Sequence, residues 1–182
     1  MSLLLHEFHD PDRCVVGTVG GPGERAFYLQ VRKGNAIISM LFEKEQARLL
    51  ALRLGELLEE EEDLDSAQPG VCADNGPLDM PLSEEFRVMR LSLMWDPQQR
   101  RAVIQAWSRG EDDDDADGQA SDSDDEPFVS VRIHLDVAQS QEFVRRTLAV
   151  VAAGRRSCPL CEQPVHPSGH ICPRANGYHR LR

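Results

Sequence analysis

One stretch of the sequence decides the fold, because it holds two strands and the turn between them: Arg25-Ala26-Phe27-Tyr28-Leu29-Gln30-Val31-Arg32-Lys33-Gly34-Asn35-Ala36-Ile37-Ile38-Ser39-Met40-Leu41-Phe42. Apolar and polar side chains alternate from residue 27 to residue 32, which is the period of a half-buried strand. Lys33-Gly34-Asn35 predicts a hairpin turn, and the apolar residues 36–42 predict the returning strand. The stretch therefore predicts an antiparallel hairpin with one face in a core.

The residues on either side extend this hairpin into a unit of three strands and a helix. Cys14–Val19 is a short β-rich run that ends in the glycine-rich turn Gly20–Gly23. After Glu43 the apolar spacing becomes that of a helix, with one face formed by Ala47, Leu50, Ala51, Leu54, Leu57 and Leu58. The first half thus predicts strand, strand, strand, helix.

The second half repeats this order of elements. Strands are predicted over Phe86–Trp95, Arg101–Arg109 and Phe128–Leu135, and Asp136 suits the N-cap of a helix that ends near Gly154. Neither unit buries both its helix and its strands well by itself. We therefore predict an α+β fold in which two strand-strand-strand-helix units form one antiparallel sheet covered by two helices, followed by a small C-terminal zinc-binding tail.

Changes in composition predict where the chain divides. The predicted parts are a body of residues 1–154, with halves of about 1–62 and 83–154 joined by a linker 63–82, and a tail of residues 155–182. The linker is rich in Asp, Pro and Gly, whereas residues 111–126 include ten acidic side chains and no basic one. We expect residues 111–126 to form a disordered, solvated loop between two strands.

Charge is distributed unevenly along the chain, whose net charge is −11. Residues 1–153 carry 15 basic and 30 acidic side chains, whereas residues 154–182 carry five arginines and one glutamate. An acidic body repels nucleic acid at long range, while a basic tail attracts it. The charge therefore argues against a nucleic-acid partner for the body and permits one for the tail.

The apolar stretches are too short to form a membrane-spanning helix. The longest are residues 36–42 and 148–153, whereas roughly 20 residues are needed to cross a bilayer. Leu3-Leu4-Leu5 has no basic segment before it and is followed at once by His6 and Glu7, so we do not expect a signal peptide. We expect a cytoplasmic protein with no membrane partner, in which clustered cysteines bind metal rather than form disulfides.

The most specific chemical pattern is a cysteine and histidine cluster in the tail, Cys-x2-Cys-x8-His-x-Cys. A Cys-x2-Cys turn directs two thiolates at one ion, and residues 170 and 172 share one face of an extended segment. Zinc prefers four nitrogen and sulfur ligands in a tetrahedron. The predicted Zn²⁺ ligands are Cys158, Cys161, His170 and Cys172, with His166 or His179 as the alternative fourth ligand.

This pattern favours a structural metal over a catalytic one. A catalytic zinc keeps one coordination position open and normally works with a nearby general base, whereas four protein ligands close the site. Glu162 is the only carboxylate side chain in the tail. Since the sequence also nominates no Ser/His/Asp or Cys/His catalytic arrangement, it favours a non-enzymatic protein.

Aromatic, amide and basic side chains occupy outward positions of the predicted strands. Aromatic residues interleaved with arginine on a sheet can stack nucleic-acid bases, and such a face can also hold a protein partner. An ordinary solvated face is the alternative, and the acidic body opposes polyanions. The predicted interaction face consists of Tyr28, Gln30, Arg32, Gln105, Trp107, Arg132 and His134.

Several blocks of the sequence resemble a known family. They include Gly17-Thr18-Val19-Gly20, Phe27-Tyr28-Leu29-Gln30, Leu91-Ser92-Leu93, Trp95-Asp96 and, most specifically, Cys158-Pro159-Leu160-Cys161 with Gly169-His170, Cys172-Pro173-Arg174 and Asn176-Gly177-Tyr178. Together they resemble an uncharacterised bacterial family, classed as a domain of unknown function, with a zinc-ribbon-like tail. The chain departs from that pattern at Cys14, where an aromatic residue is expected, and at His166, where an acidic residue is expected. The departure at position 166 favours His170 as the ligand. The resemblance implies a kinase-like or histidine-phosphatase-like partner, because members tend to be encoded near such proteins.

These observations favour a cytoplasmic zinc protein that acts as a non-enzymatic adaptor or regulatory protein-interaction module. The alternative is a nucleic-acid-binding protein that uses the basic tail and the aromatic and arginine face. A second alternative, which only the family context suggests, is a hydrolase or a phosphotransfer-related enzyme.

Overall fold

The computed structural model describes four segments of the body and eight residues of the tail. They are residues 3–21, 23–61, 73–109 and 128–153, and residues 158, 160, 161, 165, 169, 171, 172 and 174. The predicted acidic loop 111–126 and the first half of the predicted linker lie outside the described residues. The boundary between body and tail at residue 154 lies outside them as well and stays a prediction.

The described residues form eight strands and two helices in an order that repeats once. The elements are β1 (Leu3–His9), β2 (Arg13–Val19), β3 (Ala26–Lys33), β4 (Ala36–Phe42), α1 (Lys44–Glu60), β5 (Glu84–Arg87), β6 (Arg90–Asp96), β7 (Arg101–Trp107), β8 (Phe128–Leu135) and α2 (Val137–Ala152). Each half thus contains four strands and a helix. The predicted α+β class and the two predicted helices are confirmed. Neither described helix is long and apolar enough to cross a membrane.

The strands form two sheets, which corrects the single antiparallel sheet expected from the sequence. Their orders are β1-β8-β7-β6 and β2-β3-β4-β5. In each sheet three strands of one half pair antiparallel, and the fourth comes from the other half, since β1 runs parallel to β8 and β5 runs parallel to β4. The halves therefore exchange their first strands. Local alternation cannot indicate this exchange, because it reports which face is buried and not which strand is the neighbour.

The predicted strand 86–95 is interrupted where the chain passes from one sheet to the other. The N–H of Val88 donates to the carbonyl of Leu41 in β4 at 2.9 Å, whereas the N–H of Met89 donates to the carbonyl of Trp107 in β7 at 2.9 Å. Adjacent residues thus bond to different sheets. The run appears continuous in the sequence because both of its parts are extended.

Both halves contribute to one hydrophobic core. Its most buried large side chains come from both sheets and both helices and include Leu29, Met40, Leu54, Ile104, Ile133, Leu135 and Phe143. The helices contact each other, with Gly55 of α1 facing Val144 of α2. Burial of one such side chain stabilises a fold by about 1.5–3 kcal/mol. The halves therefore depend on one another for the burial of their apolar faces.

Both helices begin with an acidic residue that is followed three positions later by glutamine. In α2, Oδ1 of Asp136 accepts a hydrogen bond from the N–H of Gln139 at 2.7 Å, and Oε1 of Gln139 accepts one from the N–H of Asp136 at 3.0 Å. In α1, Oε1 of Gln46 accepts a hydrogen bond from the N–H of Glu43 at 3.0 Å. These bonds satisfy amide groups that the first turn leaves unpaired. The predicted N-cap at Asp136 is confirmed.

Replacing Asp136 by alanine is expected to lower the free energy of unfolding by about 1 kcal/mol, because the N–H of Gln139 loses its acceptor. Urea denaturation followed by circular dichroism measures this change. Gln141→Ala, at an exposed position of the same helix, is the control and should change the free energy little. Equal effects of the two substitutions would show that the cap has no specific contribution.

Candidate metal centre

Three tail cysteines meet in the structure, although 14 positions separate the first from the last. The sulfur atoms of Cys158, Cys161 and Cys172 all lie within 4.8 Å of one another, and the Cys158 and Cys172 sulfurs are 3.7 Å apart. Two thiolates bound to one zinc at about 2.3 Å in a tetrahedron are roughly 3.8 Å apart. A disulfide would need about 2.05 Å. The sulfur spacing is therefore that of ligands of one ion.

The backbone around Cys158 stabilises its thiolate. Hydrogen bonds from the backbone of Cys161 and Leu160 lower the pKa of the Cys158 thiol from 9.0 to about 6. This shift favours the thiolate, which is the form that binds metal. Cys14 in β2 contrasts with it, because burial raises the pKa of that thiol to about 12.

The tail cluster is partly shielded from solvent. Cys158 and Cys172 are buried, and Cys161 is half-buried. Nη1 of Arg174 donates to the carbonyl of Leu160 at 3.0 Å, which ties the residues after the third cysteine to the Cys-x2-Cys turn. The cluster can therefore hold a metal ion away from bulk water.

The predicted fourth ligand cannot be placed. His170 and its alternatives His166 and His179 all lie outside the described residues. The structure thus brings together three of the four predicted ligands, and the histidine stays a prediction.

The seven residues of the predicted interaction face do not share one sheet. Tyr28, Gln30 and Arg32 lie on β3, whereas Gln105 and Trp107 lie on β7 and Arg132 and His134 on β8 of the other sheet. Within that second sheet, Nη2 of Arg132 donates to Oε1 of Gln105 at 3.0 Å. Gln30, Gln105 and His134 are at most 9% exposed. The predicted face is therefore two separate patches, each with buried polar groups.

The described part of the linker, residues 73–82, covers the patch on β3. Nε2 of Gln30 donates to the carbonyl of Asp79 at 3.0 Å, and Oε1 of Gln30 accepts from the N–H of Asp79 at 2.7 Å. Nε of Arg32 lies 3.1 Å from Oδ2 of Asp79. Leu78 packs onto Gly17, where a Cβ would come within 2.6 Å of the Leu78 side chain. This segment is thus packed on the sheet, and Gly17 permits the close approach.

Charged side chains anchor the same segment. The carboxylate of Asp74 accepts hydrogen bonds from Nε of Arg13 at 2.5 Å and from Nη1 of Arg146 at 2.8 Å. Arg146 also donates to the carbonyls of Val16 at 3.1 Å and Gly76 at 2.7 Å. The hydrogen bond from Arg13 lowers the pKa of Asp74 to about 2. Since the Arg13 and Arg146 side chains are only 12% and 6% exposed, Asp74 neutralises charge that is largely buried.

The structure also gathers a second group that the sequence did not indicate as a site. Ligand atoms of Glu7, His9 and His134 all lie within 4.8 Å of one another. The predicted face includes His134, whereas Glu7 and His9 belong to β1, which the sequence analysis did not predict. Their alternation across the apolar Phe8 is the local signal that points to them.

The comparisons with known proteins show a family without an assigned activity. The family described as "Protein of unknown function (DUF3090)" matches residues 6–172, a range that includes both groups of side chains that could hold a metal ion. No curated protein and no solved structure matches the chain. The match confirms the resemblance to an uncharacterised family. Because the match covers far more than half of the sequence, the chain belongs to the DUF3090 family of proteins of unknown function.

Proposed function

We propose that this protein is a cytoplasmic adaptor or regulatory protein-interaction module whose tail is held together by a structural Zn²⁺ ion. The observation that carries the proposal is the convergence of the sulfur atoms of Cys158, Cys161 and Cys172 within 4.8 Å. A reducing compartment keeps such thiols available to a metal.

Zinc fits this group of ligands well. Thiolates select Zn²⁺, Cu⁺ or iron–sulfur clusters, and a tetrahedron of thiolates completed by one imidazole is typical of structural zinc. In this proposal His170 supplies the imidazole, with His166 and His179 as the alternatives. Four protein ligands leave no coordination position for a substrate, so the ion stabilises the tail and does not catalyse a reaction.

The same cysteines would present two apolar side chains to a partner. Leu160 precedes Cys161 and is 50% exposed, and Ile171 precedes Cys172 and is 84% exposed. A metal that fixes both cysteines also restricts these two neighbours. A restricted apolar side chain loses less conformational entropy when a partner covers it. We infer that the partner is a protein that covers Leu160 and Ile171.

The nucleic-acid alternative has less support. Arg32 is paired with Asp79, and Nη1 of Arg132 lies 3.6 Å from Oε1 of Glu7. The guanidinium group of Arg90 lies over the ring of Trp107, 4.7 Å from its centre, where a base would need to stack. Arg32, Arg132 and Trp107 of the predicted face thus already have partners within the protein.

The first test measures zinc in tag-free protein by mass spectrometry. Cys158→Ser is expected to lose one equivalent of zinc relative to the wild type, because a serine hydroxyl does not replace a thiolate ligand. Cys14→Ala is the matched control and should keep the wild-type zinc content, since Cys14 is not among the clustered cysteines. Equal zinc in Cys158→Ser and the wild type would contradict the proposed centre.

The second test separates metal binding from partner binding. Wild type, Cys158→Ser and Ile171→Glu are each mixed with the kinase-like and histidine-phosphatase-like proteins of the source organism, and binding is measured by calorimetry. Ile171→Glu should keep its zinc and lose the partner, whereas Cys158→Ser should lose both. Partner binding that survives both substitutions would refute the role of the tail. Binding of single-stranded RNA that weakens steeply with salt would support the nucleic-acid alternative instead.

A further inference from the structure

The outer face of the sheet β1-β8-β7-β6 carries an acid and two histidines from adjacent strands. In the parallel pair of β1 and β8, His9 lies opposite His134 and Glu7 lies opposite Arg132. Phe8, between Glu7 and His9, belongs to the hydrophobic core. Because successive side chains of a strand point to opposite faces, these four polar side chains lie on the face away from the core.

The donor atoms of this group are spaced like ligands of one metal ion. Nε2 of His134 lies 2.9 Å from Oε1 of Glu7, and Nε2 of His9 lies 3.7 Å from the same oxygen. Metal bonds of about 2.0–2.2 Å place neighbouring ligand atoms roughly 3.0–3.5 Å apart. The ligand atoms of the two histidines lie within 4.8 Å of one another, so the three side chains would draw closer together to bind one ion.

The imidazole rings of His9 and His134 stack on each other. Their centroids are 4.1 Å apart and their planes differ by 24°. Nδ1 of His134 is buried and has no hydrogen-bond partner among the described residues. Because the Glu7 carboxylate only accepts, Nε2 of His134 carries the proton of its hydrogen bond to Glu7, and a metal ion bound at Nε2 would move that proton to Nδ1. The His9 side chain is 54% exposed, which gives an ion access from solvent.

Charge and space beside the group favour an additional anionic ligand. Nη1 of Arg132 lies 3.6 Å from Oε1 of Glu7, so a divalent ion there would have one carboxylate and one guanidinium as charged neighbours. That arrangement leaves excess positive charge. A cavity of 520 Å³ adjoins the group and is lined by Arg132 and His134, together with Trp95 and Asp96. This volume lies within the range of small-molecule sites, about 300–1,000 Å³.

We propose that Glu7, His9 and His134 bind a divalent first-row transition ion, such as Zn²⁺ or Co²⁺, and that a small oxyanion completes the coordination from the adjoining cavity beside Arg132. Imidazole and carboxylate ligands suit these ions, and three protein ligands leave coordination positions open. The site uses no cysteine and lies on strands of the body. It is therefore independent of the metal centre proposed for the tail.

The experiment uses full-length, tag-free protein with Cys158→Ser and Cys172→Ser, which disables the tail centre. After metal removal, this parent is titrated with Co²⁺ by calorimetry and by absorption spectroscopy. One equivalent should bind without a sulfur-to-cobalt charge-transfer band. Adding His9→Ala should weaken Co²⁺ binding by about tenfold or more, because a ligand is lost at an exposed position that leaves the core intact. Glu7→Gln should weaken it similarly.

The control is His6→Ala in the same background, which removes a histidine from the opposite face of β1 and should leave Co²⁺ affinity unchanged. Circular dichroism verifies that each variant is folded. Absence of Co²⁺ binding by the parent, or equal affinity in the parent and His9→Ala, overturns the metal site. Inorganic phosphate, kept below the solubility limit of its cobalt salt, should raise Co²⁺ affinity in the parent and not in Arg132→Gln. Absence of this effect in the parent overturns the oxyanion.

Discussion

Replacing Asp74 by alanine is expected to lower the free energy of unfolding by about 3 kcal/mol, because the largely buried Arg146 loses its paired carboxylate and Arg13 keeps only its ion pair with Asp79. Arg13 and Arg146 come from β2 and α2, and Asp74 joins both of them to the segment 73–79 that covers one sheet. Urea denaturation followed by circular dichroism measures the loss. An unchanged dependence on urea concentration would show that the change is one of stability and not of unfolded-state structure.

The control for this substitution is Glu45→Gln, which breaks an exposed ion pair with Arg48 and should change the stability little. A pH series identifies the cause. The pKa of Asp74 is lowered from 3.8 to about 2, so its ionised form stabilises the fold above about pH 4, and this stabilisation is lost as the pH falls toward 2. The difference between wild type and Asp74→Ala should therefore shrink over that interval. A difference that stays constant down to pH 2 would exclude the carboxylate charge as its origin.

Removing the metal from the tail is expected to make tryptic cleavage after Arg174 about tenfold faster while the body stays folded. The sulfur atoms of Cys158, Cys161 and Cys172 form the proposed metal centre of the tail, and Arg174 donates a hydrogen bond to the carbonyl of Leu160 beside it. The hydrophobic core, in contrast, is built from residues of the strands and helices. Limited proteolysis read by mass spectrometry and thermal melting of the same samples measure the two effects.

The comparison uses wild type loaded with zinc and the variant with Cys158→Ser and Cys172→Ser. The double variant removes only the tail centre, whereas a chelator would also strip the group on β1 and β8. A melting temperature of the double variant that falls by more than about 5 °C would show that the tail is part of the fold of the body. Equal cleavage rates would show that no metal orders the tail.

Much of the candidate metal centre could be predicted, because metal ligands close together in sequence form a local pattern. The spacing of Cys158, Cys161 and Cys172 predicted a group that the structure brings within ligand distance. The predicted interaction face fared differently. Outward positions were read from alternation, but alternation could not show that Gln30 bonds to the backbone of Asp79 or that the face is divided between two sheets.

The sequence by itself determined the α+β class, the two helices, the N-cap of the second helix, and the cysteine cluster. Each of these depends on residues within a few turns or strands of one another. Only the tertiary structure decided that the halves exchange their first strands, which brings Glu7 beside His134 across 127 positions of the chain. The physical reason is that the period of a strand reports only which side chains are buried. The choice of a distant neighbour depends on how both halves together bury one core, and no short stretch of sequence contains that information.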